Sequence, residues 1–475
     1  MTGYTESLAQ WLVSQPPVSQ VHLLDKAGNA MLDIIACMFA GCQTKEAQIC
    51  LAVSEQWGTV PEEQGSWVWG TNKYLPPANA AFVNATAAHV LDFDDNFIAG
   101  FTHATAVLAP ALFALADQRR CAGIAVLDAY LFGLELQASI GGLVNPEHYR
   151  RGWHATATVG TIGTAGACAR LLGLDVTKTL SALSIASSLA SGSKKQFGSM
   201  LKPVHAGIAA KHAVEATLLA EQGLTADQEP LTGKWGFADL FSDIDPTKIV
   251  PNHSFDLPLA IEEHGLHVKR FPCCGSTHRA LDAIEDIRKR HSFYAEDIDS
   301  VEISVSVIEA ENLRYIHPRN VMEARFSMHY CIARYLMDGD LNLANMCESA
   351  VSDSGLDTLI DRIIMRPQAQ AQTKVSNPSV LPITSPAKTN NANLPGSVVL
   401  VLRLNDGITL SAEVFAAKGS KDNPLSPKEL DKKFYDCTRH LLKPSNADKV
   451  LDVIRSIQSA ADFKEISTRL NLMIQ

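Results

Sequence analysis

Charge is scarce in this chain, and so are aromatic rings. Of 475 residues, 19% are Asp, Glu, Lys or Arg and 7% are aromatic, against 46% hydrophobic. That balance excludes an intrinsically disordered chain, which is polar and highly charged, and it leaves ample apolar material for a large core. The net charge is −10, which argues against a nucleic acid or an anionic membrane as partner. The longest apolar runs, such as NAMLDIIACMFAGC, are broken by Asp33 and fall short of the roughly 20 residues a bilayer span needs. The ten cysteines lack paired C-x-x-C spacing, so they read as packed, reduced thiols and not as a disulfide framework or zinc site; no metal is expected. Walker loops, G-x-G-x-x-G after a strand, H-E-x-x-H and G-x-S-x-G are all missing, which removes nucleotide and serine-hydrolase readings. The opening MTGYTESLAQWLVSQPPVSQ has Glu6 and no Arg, unlike a secretory leader or transit peptide, so a cytoplasmic protein is expected.

What is present is mostly helix. From about residue 20 to 225 apolar residues recur at i, i+3 and i+4 with short connections, as in VHLLDKAGNAMLDIIACMFAG and IAVLDAYLFGLELQASIGG. The segment 154–172 is rich in Gly and Ala and uncharged until Arg170, which suits close backbone approach at the centre of a bundle. The pattern then changes. SVEISVSV alternates with the two-residue period of a half-buried strand, and Asn405-Asp406-Gly407 between β-rich runs predicts a hairpin. Helical stretches are predicted over 322–338 and 341–364, and SNPSVLPITSPAKTNNANLPG reads as a long loop or lid. Ser426, Pro427 and Glu429 start another helix. The fold class is mainly α: a large helical domain (1–266), a smaller α+β lid domain (267–423) and C-terminal helices (424–475) returning to the first.

The chemistry-bearing residues cluster at helix ends. AHVLDFDDNFIAGFTHATAVLAP sets Asp92, Asp94 and Asp95 just past a helix predicted over 78–92, where the dipole disfavours negative charge. Such carboxylates either bond nearby backbone amides or serve a site. His103 opens the next predicted helix, and a histidine there with a carboxylate beside it suits proton transfer near neutral pH. His154 enters the small-residue helix, and Lys202 with His205 starts another; helix starts and a lysine together favour an anionic ligand. Taken singly, each histidine reads more readily as a packed or surface residue than as a catalytic one, and their common helix-start context shifts that balance. Cys273 and Cys274 precede His278 in a turn and read as buried thiols. Tyr315 could supply a proton or hydrogen bond.

These blocks, with KRFPCCGSTHRALDAI and EARFSMHYCIARYLMDG, resemble in order the MmgE/PrpD family across most of the chain. The resemblance implies a helical domain with an α+β lid, a homodimer, no required cofactor, and acid/base chemistry on a small polycarboxylate. It implies a pocket holding Asp92, His103, His154, Lys202, His278 and Tyr315, with Asn96 and His278 binding substrate. His103 is the expected acid/base oriented by Asp92, and Lys202 the partner of a substrate carboxylate. A lyase, dehydratase or decarboxylase, on a substrate such as 2-methylcitrate or cis-aconitate is the leading expectation. Asn96 stands where some decarboxylase-like members carry Thr, Ala104 and Ala155 replace prolines, and Leu201 replaces a Thr. The FDDNF wording is nearer to an iminodisuccinate epimerase, which is the alternative, and a non-catalytic helical binding protein is the third reading.

Overall fold

A computed structural model describes residues 3–243, 258–368 and 396–474. Two compact units emerge. The first comprises Met1–Gln196, Met200–Leu266 and Pro427–Gln475; the second comprises Phe197–Ser199 and His267–Ser426. The predicted loop 376–396 lies almost wholly outside the described residues.

The first unit is a helical assembly around Val159–Leu171, whose residues 159–169 are all buried. Gly and Ala make this possible. A Cβ on Gly163 would lie 2.5 Å from the Gln137 side chain of the Gly123–Val144 helix, so the two backbones meet where no larger residue fits. The Leu201–Glu221 helix packs on Pro77–His89 in the same way, through Gly207 against Phe82 and Thr86. Gly123–Val144 is long and apolar enough to cross a membrane, but 78% of its most apolar window is buried inside the protein, which makes it a core helix. The small-residue helix starts at Val159 rather than at His154. Residues 154–158 instead form a turn, with Ala157 N–H donating to the His154 carbonyl (2.8 Å) and His154 N–H to the Gly192 carbonyl (2.9 Å). A short antiparallel ribbon, Ser66–Val68 with Lys73–Leu75, was not foreseen from the sequence.

The second unit holds a four-stranded mixed sheet. Ile298–Ser306 lies between Ile363–Gln368, to which it is parallel, and Val398–Leu404, to which it is antiparallel; Thr409–Val414 closes the far edge. Val301, Ile303 and Val305 share a buried face with Leu400, Leu402 and Ala412, and Leu281, Ile284 and Ile287 of the His278–Arg290 helix belong to the same core. The predicted hairpin forms, with Gly407 at φ 86° and Leu404 N–H donating to the Ile408 carbonyl. The helix expected over 341–364 does not form as one piece. Asn342 and Asp353 accept bonds from the amides of Ala344 and Gly355, drawing the backbone into turns. Short helices at Glu348–Val351 and Asp357–Asp361 follow, and Ile363 then joins the sheet.

Candidate active site

The three carboxylates after Pro77–His89 are buried, and each meets a different partner. Past the helix end Asp92 adopts a left-handed φ of 50°, a conformation Asp tolerates better than most residues, and this turns the chain. Asp92 then accepts a hydrogen bond from the Lys202 ammonium, from the first turn of Leu201–Glu221. Both side chains are almost wholly buried, at 3% and 2% exposure. Asp94 Oδ2 lies 2.8 Å from His89 Nδ1 and 3.1 Å from His103 Nδ1. Asp95 accepts from Thr105, whose hydroxyl is 2.7 Å from that of Tyr130, and its backbone carbonyl lies 3.0 Å from His103 Nδ1.

The expected orientation of His103 is therefore corrected: Asp94 is the carboxylate on its ring, while Asp92 is the counter-ion of Lys202. The dipole cost foreseen at this helix end is met by Lys202, by His103 and Thr105 at the start of the next helix, and by His89 of the helix itself. His103 caps the Ala104–Arg119 helix, and its backbone N–H donates to Thr156 Oγ1 at 3.0 Å. The loop between is pinned by reciprocal Phe97–Thr102 backbone bonds. Asn96 is partly exposed, directly after Asp95.

Two further histidines complete the cluster. His154 and His205 approach with Nδ1 atoms 3.1 Å apart, and the His154 ring stacks 6.1 Å from that of His89. Gly192 backs this pair, since a Cβ there would lie 2.6 Å from Ala157 and 3.4 Å from the His205 ring. Burial, reinforced by nearby cationic groups, holds His154 well below the usual imidazole range and brings His205 down to about 4. Burial likewise lowers His89 against the pull of Asp94. Burial would push the Asp94 carboxyl up, but the two imidazoles that share it carry it well below the ordinary carboxylate value. Asp95, whose burial outweighs its bond from Thr105, is raised to about 7. The result is an Asp94 carboxyl held ionised, an Asp95 carboxyl raised towards neutrality, and three imidazoles, His89, His154 and His205, shifted towards their neutral forms beside the Lys202–Asp92 ion pair.

His89, Asp92, Asp94 and His103 bring their ligand atoms within 4.8 Å of one another, a spacing that would admit a cation. Their partners argue for protons instead. Lys202 already holds Asp92, two ring nitrogens share one Asp94 oxygen, and an ammonium beside the site repels a divalent ion.

Two domain matches decide the family. The MmgE/PrpD N-terminal domain matches residues 6–249, and the MmgE/PrpD C-terminal domain matches 271–459. The chain belongs to the MmgE/PrpD family. Among MmgE/PrpD relatives it is 27% identical to a human cis-aconitate decarboxylase over 94% of this chain and 90% of that protein. It is 24% identical to an Aspergillus terreus cis-aconitate decarboxylase over 100% of the chain and 97% of the relative. A probable 2-methylcitrate dehydratase of Saccharomyces cerevisiae is 24% identical over 85% and 78% of the two chains.

Of the residues proposed from sequence, Asp92, His103, His154 and Lys202 come together in the first unit. His278 and Tyr315 belong to the second, where His278 is buried and the Tyr315 hydroxyl donates to the Phe197 carbonyl at 2.8 Å. Their site roles stand on the family resemblance alone. His89 and His205 were missing from the proposed set. His205 had a usable signal, lying one turn beyond Lys202 on the same helix face. His89 had none, as a single histidine ending an apolar helix.

Proposed function

We propose that this MmgE/PrpD member is a cofactor-independent lyase that removes carbon dioxide or water from a small di- or tricarboxylate, with cis-aconitate the first substrate to test and 2-methylcitrate the second. One observation carries the reading: a buried lysine and four imidazoles gather around a carboxylate that two of those imidazoles share. Polycarboxylates need fixed positive charge, and the buried Lys202 ammonium, beside Asp92, supplies it. The reaction needs a proton moved at a carbon beside a carboxylate, which His103 can perform.

In decarboxylation the carbon–carbon bond to the departing carboxylate breaks and its electron pair passes into the carbon skeleton. A proton from the His103 imidazolium takes up that pair, so carbon dioxide leaves and one proton is consumed. In dehydration a base removes a proton beside a carboxylate, and hydroxide leaves with a proton as water. His154 would bind a substrate carboxylate or relay a proton. The nature of the relatives favours decarboxylation, since cis-aconitate decarboxylases cover nearly all of this chain. Homodimerisation and a cytoplasmic location belong to the proposal, and light scattering and cell fractionation test them.

The deciding experiment is NMR of the protein with each substrate in deuterated buffer, beside His103→Ala. Loss of carbon dioxide or water by the wild-type protein alone supports the lyase. Deuterium entry with scrambled stereochemistry and no elimination, using iminodisuccinate, would replace it with the epimerase reading. Dialysis against a chelator leaves turnover unchanged in the same assay; a loss restored by a divalent ion would revise the cofactor-free reading.

A further inference from the structure

His103 Nδ1 faces two acceptors at once. The Asp95 backbone carbonyl lies 3.0 Å away and Asp94 Oδ2 3.1 Å away. A carbonyl can only accept, so Nδ1 carries the hydrogen and Nε2 is the basic nitrogen of the neutral ring. The backbone leaves little freedom to do otherwise, because the His103 N–H is tied to Thr156 and the following residue starts a helix. Asp94 is itself held from the other side: His89 Nδ1 donates to the same oxygen at 2.8 Å, and the His89 and His103 rings lie 4.4 Å apart. Within this trio Asp94 and His89 are sealed from solvent, whereas His103 keeps 15% of its side chain exposed. Among the groups around them are Asp92, Lys202, Asp95, His154 and His205.

We propose that Asp94 is a positioning residue that fixes the His103 tautomer and supports the imidazolium formed on its ring, and that His89 anchors Asp94 by competing for the same oxygen. The catalytic part of this inference rests on His103 being the acid/base of the lyase; the tautomer does not. Sharing one oxygen between two rings divides its charge, so each partner tunes the other. Removing the carboxylate weakens the hold of His103 on a proton, and removing His89 concentrates the carboxylate on His103 and strengthens that hold.

The test is NMR of protein labelled with nitrogen-15 in histidine, titrated across pH, with wild type, Asp94→Asn and His89→Leu compared. In the wild type His103 is expected with its hydrogen on Nδ1; a hydrogen on Nε2 overturns the proposal. The His103 midpoint is expected to fall by about one unit or more in Asp94→Asn and to rise in His89→Leu. Coincident midpoints, or shifts of one sign, overturn it, since general damage to packing does not produce opposite shifts. If Asp94→Asn does not fold, His89→Leu and the wild-type tautomer still decide. With a turned-over substrate, Asp94→Asn lowers kcat by about 10²-fold while KM stays nearly constant. Absence of turnover by the wild type would sink the lyase reading and leave the tautomer and the midpoint shifts to be judged by NMR alone.

Discussion

Two buried lysines grip the same short segment from different helices, and they do different work. Lys433, on Pro427–Thr438, lies 2.6 Å from Asp33, 2.7 Å from the Phe93 carbonyl and 4.1 Å from the Phe93 ring centroid. Lys202 pairs with Asp92, the residue before Phe93. Both are nearly wholly buried. Burial opposes the charge of Lys433, but the Asp33 carboxylate, with the Cys37 and Cys437 thiols beside it, holds that charge firmly. Around Lys202 stand His89, His154 and His205, whose proton affinity its charge depresses. Burial alone therefore does not set the two ion pairs apart; the imidazoles around Lys202 do.

Substituting each lysine should break that symmetry most visibly. Lys202→Met and Lys433→Met should each destabilise the protein by about 3–5 kcal/mol, because each strands a buried carboxylate, as read by denaturant midpoints. Lys202→Met should also lower turnover by about 10²–10³-fold through loss of a fixed charge, whereas the folded fraction of Lys433→Met keeps most of its activity. Equal activity losses would abolish the distinction.

The imidazoles sharpen the comparison through pH. Burial brings both His148 and His205 from 6.5 to about 4. Between those values the unfolded chain binds protons that the folded protein excludes, so stability falls as pH drops from about 6.5 towards 4. His148 is buried outside the cluster, between the Phe241 carbonyl and Thr158. In His148→Asn the dependence of stability on pH across this window should be shallower, and an unchanged slope would assign the acid limit to other groups.

Two glycines give the smallest effects, with opposite signs. Gly207→Ala drives a methyl into Thr86 Oγ1 and to 2.6 Å from the Phe82 carbonyl, at the contact that sets Lys202 beside Asp92. It should cost about 1–3 kcal/mol. Gly28→Ala, helical with nothing within 4 Å of the new Cβ, should gain about 0.5–1 kcal/mol. Thermal midpoints read both, and a stabilised Gly207→Ala would refute the close-packing account of this helix pair.

Local signals were legible where neighbours along the chain suffice. The alternation at 301–306 and the Asp-Gly turn depend on residues a few positions apart, and both form. The same holds for His103 and Lys202 at helix starts. The strand Ile363–Gln368 was not legible, because its pairing partner lies about sixty residues away at Val301–Ser306 and its own sequence continues a helical pattern. His89 was invisible for a related reason: nothing in its own helix says what faces its ring.

The sequence by itself determined that this is a helix-rich chain with a smaller sheet-bearing part, that three carboxylates follow one helix and a histidine opens the next, and that the family is MmgE/PrpD. Those properties reside in periodicity, turn chemistry and residue order. Only the tertiary structure decided which carboxylate meets which cation. A left-handed turn at Asp92 sends that side chain to Lys202 and delivers Asp94 to two imidazoles. That allocation depends on the directions of side chains from four segments meeting in one buried volume, where each charge must find a partner; spacing along the chain carries no record of it.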